Sequence, residues 1–412
     1  MISIRRAGRA ESGRDTSCRG GAGDGGSSRI GRVCAAMVLA LAAATLTACS
    51  SDPAPAAAFD GPIGVVNLRE VCPANIVVQS GWNPEAEFGF LYNLISAHPS
   101  IDAGRKATSG PLFAHGEYTG VNLEIRAGGP AIGFQPVMSR MYQDHDITLG
   151  FVDTEQAVFA SATAPVTSVF APMTKSPQMI MWDPQTYPQV ETIADLKAAK
   201  AKVLYFQGEA YMNYLVGAGV LDKSQTDSSY DGTPSYFVAA NGKSAQQGFA
   251  STEPYVYEHQ VQAWNRPVAY QLIADAGFPT YKSTMAVRSG ELARNSACLK
   301  KLVPVLQRSV IDYLAAPDAA NRLIVDSVAA YDTGWTYDAD NATYAVRTML
   351  ADGIVANGTT GALGVFDPVR VTKILDVTKP IFAAEGVSLA PDLTADRLAT
   401  NEFIDPAIGL NR

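Results

Sequence analysis

The stretch Asn75-Ile76-Val77-Val78-Gln79-Ser80-Gly81-Trp82-Asn83-Pro84-Glu85-Ala86-Glu87 decides how this chain is read. Its first five residues are a short run rich in β-branched side chains, a strand candidate. Beyond the turn, Asn83-Pro84-Glu85 offers a helix N-cap, a proline for the first helical position and an early acid. Phe88, Leu91, Tyr92 and Ile95 then recur at the spacing of one helix face. Strand, loop and capped helix make the unit from which α/β domains are assembled.

Outward from that unit the alternation continues. Residues 122–126, 147–152 and 166–171 read as further strands, as do 203–206, 234–239, 248–253 and 281–288. Thr192-Ile193-Ala194-Asp195 has capping-box spacing ahead of a helix, and Glu209 to Val216 reads as another. Leu292, Leu299, Leu302, Leu306, Val310 and Leu314 mark a long helix, in which Pro304 predicts a kink. The order predicts an α/β fold with a largely parallel sheet, and 412 residues at 47% hydrophobic exceed one compact domain.

Charge and cysteine usage exclude several functions. With 32 basic and 40 acidic side chains the net charge is -8, which does not suit a nucleic-acid backbone. Five cysteines and four histidines show neither CxxC nor HExxH spacing, and His98, His115, His145 and His259 are scattered. No metal, cofactor or catalytic residue is expected.

Residues 1–32 hold seven Arg and three acids among Gly and Ser, followed by the apolar run Val33 to Ala48, the order of a secretory signal. The run is shorter than a permanent membrane span needs. It ends at Leu46-Thr47-Ala48-Cys49, which resembles a bacterial lipobox. The resemblance implies cleavage before Cys49, lipidation of its thiol and attachment to the outer face of the cell membrane. Loss of residues 1–48 leaves the mature chain at about -12. Residues 49–60, rich in Ser, Pro and Ala, then form a flexible tether. Cys72 and Cys298 remain in the mature body, and two thiols in an oxidising compartment invite a disulfide.

Several segments together resemble the solute-binding proteins of ABC importers, in the NMT1/THI5-like group of nitrate, sulfonate, taurine and thiamine-precursor binders. They are Gly81 to Glu87, Gly128-Gly129-Pro130, Ile193-Ala194-Asp195-Leu196-Lys197, Ser251-Thr252-Glu253-Pro254-Tyr255 and Ala274 to Pro279, over roughly residues 75–315. The resemblance implies a two-lobe fold of the periplasmic-binding-protein type II class, with a ligand cleft between lobes that close on a solute. Lobe 1 would comprise residues 61–183 and 263–412, and lobe 2 residues 184–262. The protein would be a monomer that passes its solute to a membrane permease, without catalysis. The related yeast-type pyrimidine synthases depend on a cysteine-rich motif that is missing here.

In open α/β sheets, ligands bind outside the carboxyl ends of the strands. That rule selects Trp82, Tyr211 and Tyr255 as ring faces for a planar solute, and Glu87, Asp153, Glu209 and Glu253 as acceptors, with Glu155 beside them and Arg126 as the nearest cation. Gly128 and Gly129 would free backbone N–H groups for an anionic part of the ligand. The acidic cast predicts a planar, nitrogen-rich solute such as an aminopyrimidine thiamine precursor. Nitrate, taurine or an alkanesulfonate is the alternative ligand, and a sensor or docking lipoprotein of the same fold is the alternative role.

Overall fold

The computed structural model describes residues 59–411. The leader, Cys49 and the tether through Ala58 lie outside the described residues. Among the described residues no helix is long and apolar enough to cross a membrane.

Twelve strands form two sheets: β1 (Asn75–Gln79), β2 (Ser100–Asp102), β3 (Ala107–Ala114), β4 (Glu117–Arg126), β5 (Ile147–Val152), β6 (Val166–Phe170), β7 (Gln178–Trp182), β8 (Lys202–Leu204), β9 (Thr226–Asp227), β10 (Ser244–Phe249), β11 (Ala269–Leu272) and β12 (Thr284–Arg288). The first sheet has the order β2-β3-β4-β1-β5-β12-β6 and the second β11-β7-β10-β8-β9. The chain therefore leaves the first sheet after β6, builds the second from Gln178 to Leu272, and returns at β12.

The expectation of a largely parallel sheet needs correction. β1 runs parallel to β4 and β5, and β8 parallel to β9 and β10. The remaining pairings, β2–β3, β3–β4, β5–β12, β6–β12, β7–β10 and β7–β11, are antiparallel. One cause is local: β3 and β4 form a hairpin closed by His115 and Gly116, both at positive φ (53° and 77°), the pair of angles a type I′ turn requires. The other is that β7 and β12 are the entering and returning strands of the crossing.

The first sheet is buried on both faces, as its strand sequences suggest. In β1, Ile76 and Val78 join the apolar cluster of Phe88, Leu91, Tyr92 and the 292–315 helix, while Val77 faces the opposite cluster with Val152 and Val158. The long helix runs Leu292–Ala315 through Pro304 and buries Cys298, Leu299, Leu302 and Leu306. Cys72 and Cys298 are joined by a disulfide, with Cα atoms 4.7 Å apart, which fastens the segment ahead of β1 to that helix.

Two strand expectations are corrected. Residues 234–239 contain a helix, Ser235–Ala239, not a strand. Phe237 on it is buried edge-on against Tyr257 and Trp264, and Pro234, with no N–H for a ladder, starts the turn. Residues 248–253 are the end of β10 and the start of the helix Glu253–His259, because the strand itself is the polar run Ser244-Ala245-Gln246-Gln247.

Candidate functional site: a carboxylate cluster between the sheets

The loop after β1 is fastened to the loop after β4 by backbone. Gly128 N–H donates to Trp82 O at 2.8 Å, and Trp82 O also accepts from Ser80 Oγ at 3.0 Å. A Cβ on Gly128 would lie 2.1 Å from Ser80 O, and one on Gly129, at φ +53°, would press into the Trp82 ring. These glycines permit close approach of two loops, and the Gly128 N–H is used inside the fold instead of facing a ligand.

Asn83 does not cap a helix either. Its Oδ1 accepts from Thr333 Oγ1 at 2.8 Å, and the first helical turn begins three residues later, at Ala86–Phe88. That delay keeps Glu85 extended and points Glu85 and Glu87 inward, where they are 7% and 4% exposed. Glu87 Oε1 accepts from Ser251 Oγ of the second sheet's side, a contact that joins the two halves, while Glu87 Oε2 is buried without a hydrogen-bond partner. Tyr337, from the segment leading into the Ala339–Ala351 helix, accepts the Ala86 N–H at 3.2 Å and closes this corner.

The loop after β5 is stitched to the return crossing. Asp153 binds Lys282 Nζ at 2.6 Å and the Ser283 N–H at 2.8 Å, and Glu155 accepts from Thr280 Oγ1. From the second sheet come Glu209, beside Gln178 and Gln247 and ahead of the helix Ala210–Gly217, and Glu253, whose carboxylate accepts the Phe249 N–H at 2.6 Å. Each of these loops follows the carboxyl end of a strand: β1, β5, β8 and β10.

Burial pushes these carboxyls up. Glu85 rises well above the ordinary carboxylate range, by desolvation first and then by the charges of Glu87 and Glu253. Desolvation raises Glu87 and Glu209 and takes Glu253 to about 7. Glu155 is pushed up to about 8, by burial and then by Asp153. Burial opposes the charge of Lys282, but Asp153, Glu209 and Glu155 outweigh it and raise its ammonium above the usual lysine value.

The predicted residues divide into two groups. Glu87, Asp153, Glu209 and Glu253 converge, together with Glu85, Glu155 and Lys282. Arg126 does not join them: it is held by Glu124 at 2.6 Å and Asp144 at 2.8 Å. Tyr211, 1% exposed, is core of the second half with its hydroxyl on Gln247 Oε1 at 2.7 Å. Tyr255 packs against Tyr344 and His259, away from the carboxyls. Trp82 stays part-exposed among Phe134 and Trp335, with ring centroids 6.0 Å from each.

Sequence reasoning missed Glu85, Lys282, Trp335 and Tyr337. Glu85 was read as a helix-capping acid, and Lys282 stood inside a supposed strand that in fact begins at Thr284. Trp335 and Tyr337 lie some 250 residues along the chain from Glu87 and carry no local signal of their place.

No protein-family model matches the chain, and no curated protein matches it. Among solved structures it is similar to the periplasmic aliphatic sulphonate binding protein SsuA from Escherichia coli, at 14% identity over 79% of this chain and 92% of that one, with a TM-score of 0.51. The periplasmic sulfonate-binding protein SsuA from Methylobacillus flagellatus is similar at 14% identity over 80% and 92% of the two chains, with a TM-score of 0.49. The desulfurization enzyme DSZB is similar at 13% identity over 80% and 97%, with a TM-score of 0.40. The chain has the mixed α/β, two-sheet fold of periplasmic binding proteins.

Proposed function

We propose that the protein is the solute-binding component of an ABC importer, working outside the cytoplasm on a lipid anchor at Cys49. It captures a small nitrogen-bearing solute, with aminopyrimidines as the planar class, and carries it to a membrane permease. The two sheets serve as the two lobes, which close on the solute and have no catalytic role. One observation carries this reading: acidic loops at the carboxyl ends of strands from both sheets meet at one place and touch through Ser251 and Glu87. The importer role itself rests on analogy of fold.

An alkanesulfonate is a weaker candidate than the fold alone would suggest. Among the described residues Lys282 is the one cation beside Glu85, Glu87, Asp153, Glu155, Glu209 and Glu253, and it already binds Asp153 at 2.6 Å. A sulfonate would meet acceptors where it needs donors. Calorimetry on the mature chain with cytosine, other aminopyrimidines, taurine, nitrate and ethanesulfonate tests the assignment. Nitrogen-bearing solutes are expected to bind and raise the melting temperature. Tight binding of ethanesulfonate, with no response to any nitrogen compound, overturns it.

A further inference from the structure

Resting on the reading of this cleft as a solute site, we propose that the solute is an organic cation, its protonated nitrogen held between Glu85, Glu87 and Glu253 and donating to the free Oε2 of Glu87.

The first support is an imbalance of hydrogen bonding. A buried oxygen of a carboxylate without a donor costs free energy in any state of ionisation, and native proteins rarely leave one so. Glu87 is 4% exposed, and one of its oxygens has Ser251 while the other has nothing. Among the described residues no protein group donates to it. The Phe249 N–H goes to Glu253 and Lys282 lies on Asp153, while the Tyr337 oxygen accepts the Ala86 N–H and its own O–H makes no hydrogen bond to Glu87.

The second support is an imbalance of charge. Lys282 and Asp153 cancel, which leaves Glu85, Glu87 and Glu253 on one side and Glu155 and Glu209 on the other, with no further cation beside them among the described residues. The titratable groups around these carboxyls on the surrounding elements are Tyr92, Tyr230, Tyr257, Tyr313, Tyr337, Tyr344 and, more distantly, Lys282. Among the described residues no three His, Cys, Asp or Glu side chains are arranged to hold a metal ion. An organic ammonium or amidinium supplies what the geometry wants: positive charge together with several directed N–H donors. Tyr337, stacked on Trp335 at 6.4 Å between ring centroids, adds an aromatic border beside Glu87. In such a site the bound charge replaces the protons on the carboxyls, so occupancy should increase with pH.

The experiment is calorimetry on the mature chain with benzamidine as a planar cation, putrescine as a flexible one, cytosine as a neutral planar donor and ethanesulfonate as an anion. At least one cation is expected to bind, about tenfold or more tightly at pH 8.5 than at pH 5.5. Glu87→Gln should weaken it about tenfold or more without lowering the unliganded melting temperature, Glu253→Gln should weaken it similarly, and the exposed Glu70→Gln should leave it unchanged. Binding of cytosine alone, indifferent to Glu87→Gln and Glu253→Gln, overturns the cation and leaves the nitrogen-bearing solute standing. Binding of ethanesulfonate alone overturns both, and a folded protein that binds neither cation overturns this proposal.

Discussion

Where the chain crosses between the sheets, and where the sheets face each other, buried charge is treated in opposite ways. At the crossings Arg370, from the helix Pro368–Ala384, donates to Thr174 O on the outgoing segment at 2.5 Å, to Pro279 O on the returning one at 2.7 Å, and to Thr280 O. Its guanidinium also lies 3.7 Å over the Tyr281 ring. At the cleft, Glu87 keeps an unpartnered oxygen beside two further acids. A charge held by several groups of the chain is part of the scaffold; on the proposed reading, one left incomplete at a convergence of loops is completed by the solute.

The sharpest way to break that contrast is to remove each charge with little change of volume. Arg370→Met takes the donor from three backbone carbonyls, of which water can re-solvate some because the side chain is part-exposed, and should cost about 3 kcal/mol of stability. Glu87→Gln should cost nothing, since the amide can still accept from Ser251 and the buried charge is gone. Urea unfolding of the two variants is the check. Equal losses for both would mean that the unpartnered oxygen of Glu87 has no special meaning.

A smaller effect sharpens the same point through pH. Glu253 and Glu155 have folded pKa values raised to about 7 and about 8. At low pH both are protonated in the folded and unfolded chain, and nothing is lost. As pH climbs past the ordinary carboxylate value the unfolded chain ionises first, while the folded protein holds its protons. Stability therefore falls until pH passes about 7 for Glu253 and about 8 for Glu155. Each proton contributes a slope of up to about 1.4 kcal/mol per pH unit, so between pH 5 and pH 8.5 the loss is at most about 4 kcal/mol from Glu155 and less than about 3 kcal/mol from Glu253, which is part-exposed. Glu155→Gln should make that slope shallower, with Glu253, Glu85, Glu87 and Glu209, also raised by burial, supplying the rest, and a flat or rising profile across the window would contradict the buried-charge account. A cation in the cleft should flatten it too.

How far the sequence reveals these two regions follows from the range over which each is specified. β1 and β5 were legible residue for residue, because their apolar runs are local and turn residues bound them. β10 was not, since Ser244 to Gln247 are polar side chains buried through partners elsewhere, such as Gln246 to the Tyr257 hydroxyl at 2.7 Å. In the carboxylate cluster, the strand-end rule found Glu87, Asp153, Glu209 and Glu253, which sit one to eight residues past a strand's carboxyl end. It could not find Trp335, Tyr337 or Arg370, which are brought in by helices that follow the last strand. The rule also says which loops gather, and nothing about which way an aromatic side chain on them turns.

Tyr255 makes that last distinction testable, and its expected effect is the smallest. It lies two residues beyond Glu253, on the same short helix, yet its ring is 5.7 Å from Tyr344 and 4.7 Å from His259 between centroids, against the helix Ala339–Ala351. One helical step of about 100° per residue carries a side chain two positions on to the far side, so a residue adjacent in sequence to a cleft acid need not line the cleft. Tyr255→Phe keeps the ring against Tyr344 and removes only a part-exposed hydroxyl, and should change stability by less than about 0.5 kcal/mol. Solute affinity should stay within about twofold, a difference of about 0.4 kcal/mol, in the calorimetric titration that shows a tenfold loss for Glu253→Gln. A comparable loss in both variants would place the Tyr255 hydroxyl on the solute, and the cleft would then extend along the face of this helix toward Tyr344.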